Sequence, residues 1–478
     1  MRRWTILAAL GAGAFASRLW VLARSAEPAG TDGYYYVVQV EHWLRTGHLK
    51  VPDGSWVLRL CAAWSYVLGD PVMGVKVTAA LLAALCVPAA WALGGGLDRM
   101  RGLDARPTAW WLAAWAAASP SLTTLAAEFP KNLGAAAPLL VVAAVAVHPS
   151  RRAPALAAAF AAVLLAATAH RTGAVLWIPI AVAALGRRPL LLLGIAGALV
   201  AFAVLSWALP NLLHPSDLPR VTEQLDWPRL LPAFARQARP AQVVELSLPW
   251  FAVVASAAAW VRHRRHGSQL LALALPSLCC IVPIWRTDTL DLGYRLALLS
   301  PLFGVPLLLA AMPERAVRLA STARAAIALA GLAVVGVLLA APSGFNGSAN
   351  PPHARYRRVV DAMPRPLPPL LIAHQGFSFL YTHLTGADAM AWAPEPELDR
   401  KEVGRLAWGI RPSEWVALAP DPPPIPLDPE YAYVREDVWE VFVSRAQVEG
   451  DDDLRERLSD WRNPSRVRPA SLLRNRGL

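Results

Sequence analysis

Four short stretches hold side chains whose types and spacing could do chemistry. They are Thr31-Asp32-Gly33-Tyr34-Tyr35-Tyr36, Glu128 through Gly134, His170-Arg171-Thr172-Gly173, and Arg286 through Arg295, which includes Asp288 and Tyr294. A carboxylate such as Asp32 can remove a proton from an acceptor. Cations such as Lys131 and Arg295 can stabilise the charge that develops on a leaving phosphate. Together, residues of these types suit the transfer of a group from a phosphate-linked donor.

The stretch around Asp32 is followed by an amphipathic segment, Val37 to Leu49, with apolar residues at helical spacing. Such a helix can lie along a bilayer surface with its aromatic side at headgroup depth. Asp32 would stand at the helix start, where the helix dipole favours a carboxylate. The plainer interpretation is that Asp32 only caps this helix and that tyrosines such as Tyr34 and Tyr35 form an interfacial belt.

Two further stretches hold cations on the predicted outer side of the membrane, where positive charge is not favoured. Lys131 is one of only four lysines in the chain, although Glu128 and Pro130 beside it also fit an ordinary helix start. His170 and Arg171 lie in a tight turn between two apolar runs. Such a pair suits a phosphate or pyrophosphate bound through charge-assisted hydrogen bonds. The alternative is a turn whose long side chains snorkel to the membrane surface.

The fourth stretch stands at the beginning of a late apolar run. Tyr294 and Arg295 begin this run, and Asp288 or Asp291 can pair with Arg286 or Arg295. Arg18, near the end of the first apolar run, is expected to be a snorkelling residue.

These residues are set in a chain with the composition of a membrane protein. Of its 478 residues, 55% are hydrophobic and 17% are charged, whereas a soluble chain carries about 25% charged residues. The mean hydropathy is +0.37. We therefore infer that much of the chain lies within a lipid bilayer, and we predict about 11 transmembrane helices. The spans are 5–24, 72–96, 107–120, 133–148, 154–169, 173–186, 189–208, 246–262, 268–285, 294–311 and 319–341.

The placement of arginines orients these spans. Arg2 and Arg3 precede the first span, and every second loop is short and basic, as cytoplasmic loops are. All four stretches then fall on the outer face. The preference for arginine over lysine is typical of a GC-rich bacterial genome, and no basic-aromatic module indicates nucleic-acid binding. We expect a multi-pass protein of the bacterial inner membrane with a cytoplasmic N-terminus.

The composition changes after residue 341. We divide the chain into a transmembrane body, 1–341, whose first outer loop is 25–71, and an extracytoplasmic C-terminal domain, 342–478. A helix-like stretch in the domain follows its first strand candidate and reaches Leu384, so a small α/β domain is predicted. The strand candidates are Leu370–Ala373, Asp388–Trp392, Trp415–Leu418 and Val438–Val443.

On these residues the chain resembles the GT-C superfamily of polytopic glycosyltransferases. The resemblance rests on Asp32 in the first outer loop, the span opening Lys131-Asn132-Leu133-Gly134, the His/Arg turn, the Tyr-Arg start of a late span and the outer C-terminal domain. It implies a sugar donor on a polyprenyl phosphate and an acceptor on the outer face. Asp32 would be the catalytic base or, in metal-dependent members, a metal ligand, and Glu128 the second acid of some members. Many members have an acidic pair in the first loop, whereas here Gly33 follows Asp32, so the base assignment and metal dependence stay open.

The leading hypothesis is a membrane glycosyltransferase that transfers a sugar from a polyprenyl-phosphate donor to an acceptor at the periplasmic face. The predicted catalytic residues are Asp32 and Glu128. The predicted donor-phosphate-binding residues are Lys131, His170, Arg171 and Arg295, supported by Tyr34, Tyr35, Asp288 and Tyr294. The sequence establishes no cofactor, and a divalent metal ion would have Asp32 as its ligand. The alternatives are a transporter or flippase of lipid-linked saccharides and a non-catalytic membrane assembly protein whose tail binds a partner.

Overall fold

The computed structural model describes residues 2–185 without 31, 51–52, 105 and 149–152, and residues 240–313 without 263–265 and 282–291. Further along the chain it describes 370–391 without 374 and 387, then 407–412, 431–436 and 439–444, and the single residues 317, 331, 357 and 360. The predicted span 189–208 lies outside the described residues, as do Asp288 and all of the predicted span 319–341 except residue 331.

The described part of residues 2–313 is helical, with short connections. Helices α1 to α7 are Arg2–Ala23, Gly33–Thr46, Trp56–Leu68, Pro71–Met100, Pro107–Ala118, Pro120–Glu128 and Pro130–Val147. Helices α8 to α13 are Ala153–Ala169, Arg171–Leu185, Pro240–Arg262, Gly267–Ile281, Leu292–Leu299 and Pro301–Ala311. By length and composition, the described segments able to cross a membrane are Arg3–Ala23, Pro71–Met100, Pro130–Val147 and Gly293–Ala311, and shorter apolar helices accompany them. The chain is thus a polytopic helical membrane protein, as predicted, while the number of spans and their orientation stay predictions.

Prolines mark the starts of successive helices in this body. The first turns of α4, α5, α6 and α7 hold Pro71, Pro107, Pro120 and Pro130. Proline is favoured there because its fixed φ suits the helix and the first-turn N–H would have no intrahelical partner. The predicted span 107–120 is accordingly the 12-residue helix α5, and α6 begins as a new helix at Pro120.

Arg18 fills the break between α5 and α6. Its guanidinium donates hydrogen bonds to the carbonyl oxygens of Ala116, Ala117 and Ser119 at 3.1, 2.8 and 3.4 Å. These carbonyls lie at the C-terminal end of α5, where they lack intrahelical partners and the helix dipole favours a cation. The prediction that Arg18 snorkels is wrong, because the side chain is buried, with 1% of its surface exposed.

Glu245 of α10 accepts hydrogen bonds at the same break between α5 and α6. One carboxylate oxygen accepts hydrogen bonds from the Trp115 Nε1 and the Ser119 hydroxyl at 2.8 and 2.5 Å. The other oxygen accepts the backbone N–H of Ser121 at 2.7 Å. An anion is favoured at this N-terminal end of α6. A buried cation and a buried anion therefore hold the helix break that leads to Glu128.

Two charges near the C-terminal end of α4 complete further helix ends. The carboxylate of Asp98 accepts the N–H groups of Thr108 and Ala109, both at 3.0 Å, in the first turn of α5. Arg101 donates to the carbonyl oxygens of Leu309 and Met312 at 2.9 and 2.7 Å, at the end of α13. Asp98 and Arg101 therefore serve to pack the helices together, and this role distinguishes them from the charged residues of the candidate functional site.

Contacts divide the chain into two compact units. The first consists of residues 1–30 and 43–349, and the second of residues 31–42 and 350–478. The first turns of α2 thus group with the C-terminal region of the chain rather than with the helices on either side of them in sequence. The predicted domain boundary at residue 341 stays a prediction.

The second unit contains a mixed five-stranded sheet. Its strands β1 to β5 are Leu370–Ala373, Asp388–Ala391, Ala407–Pro412, Tyr431–Glu436 and Trp439–Ser444, in the order β2-β1-β3-β5-β4. Strand β1 pairs in parallel with β2 and β3, and β5 pairs antiparallel with β3 and β4. Helix α14, Gln375–Thr385, connects β1 to β2, since parallel neighbours need a crossover. The predicted strands at 370–373, 388–392 and 438–443 are confirmed with small differences at their ends, and Trp415–Leu418 lies outside the described residues.

Candidate functional site

Lys131, in the first turn of α7, forms an ion pair with Asp53 in the loop between α2 and α3. Its Nζ lies 2.7 Å from Oδ2 of Asp53. The other carboxylate oxygen of Asp53 accepts the backbone N–H of Ser55 at 2.8 Å. The Lys131 side chain is 20% exposed and that of Asp53 is 5% exposed. The ammonium group is therefore held in position by Asp53 without being sealed from its surroundings.

The turn before α9 is tied to the same end of α7. The side-chain amide of Asn132 donates to the hydroxyl of Thr172 at 2.9 Å, and the backbone N–H of Thr172 donates to Nδ1 of His170 at 3.2 Å. Because Nδ1 accepts this hydrogen bond, a neutral imidazole carries its proton on Nε2. The structure thus brings His170 to the helix start that holds Lys131. Arg171 begins α9, and its side chain lies outside the described part of the molecule.

Gly134 explains why the start of α7 can sit so close to its neighbours. A Cβ at this position would lie 2.5 Å from Cγ2 of Val57 in α3 and 3.3 Å from Cβ of Ala169 in α8. The hydroxyl of Ser55 bonds the Ala169 carbonyl oxygen at 2.8 Å in the same region. The glycine therefore permits the close packing that brings the loop of Asp53 to Lys131.

Replacing Gly134 with alanine should destabilise the protein by about 1–3 kcal/mol, because the added methyl group overpacks this contact. The loss would be measured as a lower Tm of the purified protein in detergent. Gly95→Ala is the matched control, since a Cβ at Gly95 in α4 meets nothing within 4 Å and alanine is the better helix former. Equal Tm values for the two variants would contradict the packing argument.

Phe129, between α6 and α7, contacts the start of α12. The Cζ of Arg295 lies 4.7 Å from the centroid of the Phe129 ring, and the ring of Tyr294 lies 6.1 Å from it. A guanidinium over an aromatic ring is attracted by the ring quadrupole. Among the described residues, Nε of Arg295 has no hydrogen-bond partner. Two predicted phosphate-binding cations, Lys131 and Arg295, thus lie on segments that meet at Phe129.

Glu128 is the half-buried last residue of α6, and Gly30 packs against it. A Cβ at Gly30, whose φ is +76°, would lie 2.6 Å from the carbonyl oxygen of Ala127 and 2.8 Å from Cα of Glu128. Only glycine suits this backbone and this space. Asp32 follows two residues later, half-buried in the turn before α2. Its carbonyl oxygen accepts the N–H of Tyr36 at 3.4 Å.

Tyr34 and Tyr35 belong, with Asp32, to the second unit. Their exposed fractions are 1% and 8%. The Tyr34 ring lies 5.0 Å from that of His383, and the Tyr35 ring lies 5.1 Å from that of Phe379. The interpretation of these tyrosines as an interfacial belt is wrong, because they are buried against α14 and not presented to headgroups.

Asp53 is the residue of this cluster that sequence reasoning missed. It is 78 residues from Lys131, and its neighbours Pro52 and Gly54 are typical of an ordinary loop. The available signal was Lys131 itself, because a cation at membrane depth usually has a partner. Within the ranges that the structure describes, no group of three or more His, Cys, Asp or Glu side chains is placed to hold a metal ion.

The fold of this chain is similar to the folds of two solved proteins, ArnT and an oligosaccharyltransferase. ArnT from Cupriavidus metallidurans, in a crystal structure with undecaprenyl phosphate bound, matches with a TM-score of 0.59 and 14% identity, over 92% of this chain and 97% of that one. The Archaeoglobus fulgidus oligosaccharyltransferase matches in its apo form with a TM-score of 0.54 and 12% identity, over 90% of this chain and 73% of that one. No family model and no curated protein sequence matches the chain. The predicted resemblance is confirmed at the level of the fold.

Proposed function

We propose that this protein is a membrane glycosyltransferase that transfers a sugar from a polyprenyl-phosphate donor to an acceptor at the periplasmic face of a bacterial inner membrane. The observation that carries the proposal is the convergence of Lys131, Arg295 and His170 on the start of α7, in a protein of this fold. The similar ArnT structure holds undecaprenyl phosphate, which supports a lipid phosphate as the ligand of these cations.

Four of the buried charges in the described part of the body support this assignment by contrast. Arg18, Asp98, Arg101 and Glu245 bond the ends of helices. Lys131 instead pairs with a carboxylate, and Arg295 lies over an aromatic ring. Charges at membrane depth are costly and mark substrate sites when they serve no packing role. A phosphate bound to both cations, and to His170 and Arg171, would form charge-assisted hydrogen bonds.

In the proposed reaction, Asp32 takes the proton of an acceptor hydroxyl. The acceptor oxygen forms a bond to the anomeric carbon of the sugar, and the bond between that carbon and the phosphate oxygen breaks. The electron pair leaves with the polyprenyl phosphate, whose charge Lys131 and Arg295 stabilise. Glu128 is the second carboxylate of the site, and Tyr34, Tyr35, Asp288 and Tyr294 support it.

The proposed topology follows from the arginine-rich loops. The N-terminus lies in the cytoplasm, and the four stretches and the C-terminal domain, 342–478, lie on the periplasmic side. A lipid-linked sugar would then meet its acceptor outside the cytoplasm.

Replacing Lys131 with methionine should weaken the binding of undecaprenyl phosphate by about 10- to 100-fold, because a hydrogen bond to a charged group is worth about 1.5–3 kcal/mol. Binding to the purified protein in detergent can be followed by intrinsic tryptophan fluorescence, since the chain has 20 tryptophans. Arg295→Met should give a loss of similar size.

Lys50→Met is the control for this experiment, because it removes the same charge from the loop that holds Asp53. It should leave undecaprenyl phosphate binding at the wild-type level. Wild-type affinity in both Lys131→Met and Arg295→Met would contradict the phosphate site. A protein that binds the lipid and moves lipid-linked saccharide between leaflets, with no sugar transfer, would instead be a flippase.

A further inference from the structure

Helix α14 contacts the first turns of α2 through aromatic rings, and Arg357 contacts them through a hydrogen bond. We call this set of residues, Arg357, Phe379 and His383, the α2 clasp. Phe379 and His383 are four residues apart and so lie on one face of α14. Their rings contact Tyr35 and Tyr34, with centroids 5.1 and 5.0 Å apart. Phe379 is buried, with 5% of its surface exposed.

Polar contacts reinforce the aromatic ones. The Nη2 of Arg357 donates a hydrogen bond to the Tyr34 hydroxyl at 2.8 Å. The Nδ1 of His383 lies 3.0 Å from Oε1 of Glu41, two helical turns beyond Tyr34, but this pair does not have the geometry of a hydrogen bond. Within α2 itself, the side-chain amide of Gln39 donates to the Tyr35 hydroxyl at 3.2 Å. The clasp therefore contacts one face of α2 from its first turn to its third.

The start of α2 is directly joined to Asp32. The helix begins at Gly33, and the carbonyl oxygen of Asp32 accepts the N–H of Tyr36 at 3.4 Å. An isolated helix of 14 residues is only marginally stable in water, so its position depends on what packs against it. Any displacement of the first turn of α2 moves the backbone of Asp32 with it.

We propose that the α2 clasp positions Asp32 for the reaction, so that the C-terminal region acts on catalysis through α2. This inference rests on the proposed function, in which Asp32 removes the acceptor proton. A general base must come within hydrogen-bonding distance of that proton, and a displacement of about 1 Å can cost about 10²-fold in rate. Arg357, Phe379 and His383 are positioning residues, since they act through Tyr34 and Tyr35.

Phe379→Ala should lower kcat for sugar transfer by about 10- to 100-fold, with undecaprenyl phosphate binding unchanged, because Lys131 and Arg295 lie in the other unit. Hydrogen exchange of the full-length protein should become faster at amides 33–42 and stay the same in strands β1 to β5. Leu380→Ala is the matched control. It removes a buried aliphatic side chain from the same helix and should leave kcat of the folded protein at the wild-type value.

Two less disruptive substitutions test the same inference if Phe379→Ala does not fold. Tyr34→Phe removes only the hydroxyl that accepts the Arg357 hydrogen bond, and Arg357→Met removes the donor. Each should lower kcat several-fold, the double variant no further than either single one, and Arg357→Lys should restore part of the rate.

Two results would overturn the inference. One is wild-type kcat in Phe379→Ala despite faster exchange at 33–42, and the other is unchanged exchange at 33–42. Failure of the proposed function looks different, because the wild-type protein would then bind undecaprenyl phosphate without transferring sugar. Wild-type transfer by Asp32→Asn would remove only the role of Asp32 on which the inference rests.

Discussion

Asp32→Asn is expected to lower the rate of sugar transfer by about 10²- to 10⁴-fold, the usual contribution of a general base. Asparagine keeps the shape of the side chain but cannot accept the acceptor proton. Undecaprenyl phosphate should still bind, because the cations that hold it are unchanged. The measurement is single-turnover transfer from polyprenyl-phosphate sugars by the purified protein, using the donor that the wild type accepts.

Glu27→Gln is the control for Asp32→Asn, since it removes one negative charge from the same loop and should keep wild-type activity. Glu128→Gln tests the second carboxylate. If Glu128→Gln abolishes transfer while folded Asp32→Asn is fully active, the base is Glu128 and the role proposed for Asp32 is wrong. Restoration of Asp32→Asn activity by a divalent metal would likewise contradict its role as the base.

The largest loss of stability is expected at the break between α5 and α6. Glu245→Ala removes a buried carboxylate that accepts three hydrogen bonds and leaves Arg18 without a nearby anion. Breaking one side of such a buried charge arrangement typically costs about 3–5 kcal/mol. The variant should unfold at a clearly lower Tm in detergent, and the yield of folded protein should fall.

The double variant Arg18→Met/Glu245→Met makes this prediction sharper. Replacing both charged side chains with apolar ones leaves no unpaired buried charge. The double variant should therefore lose less free energy of unfolding than the two single variants lose together. Glu245→Gln, which keeps one acceptor oxygen, should lose less than Glu245→Ala. A wild-type Tm for Glu245→Ala would show that the carboxylate does not hold the break.

Features that depend on neighbouring residues could be predicted from the sequence. Apolar runs place α4, α7 and α9 close to their observed positions. The short strand Leu370–Ala373 is found with the predicted ends. The tie between Lys131-Asn132 and the His170 turn could be expected as well, because alternating spans bring every second loop to one side of a membrane.

Features that depend on distant partners could not be predicted. Arg18 bonds carbonyl oxygens of residues 98 to 101 positions away, at the C-terminal end of α5. The residues around Arg18 in the sequence give no sign that α5 ends there. Asp53 looks like a loop residue until Lys131 is placed beside it. The tyrosines after Asp32 have the same amphipathic pattern whether lipid or α14 covers them, so the pattern cannot tell these partners apart.

The wide sequence separation of the α2 clasp has a consequence for biosynthesis. Tyr34 and Arg357 are 323 residues apart, so at about 5–20 residues per second the ribosome needs roughly 20 to 60 s to make the second partner after the first. During that interval the aromatic face of α2 lacks its final cover, and the bilayer interface is the apolar surface at hand. Helix α2 would therefore lie at the bilayer interface first, and it would pack against the α2 clasp only when translation is nearly complete.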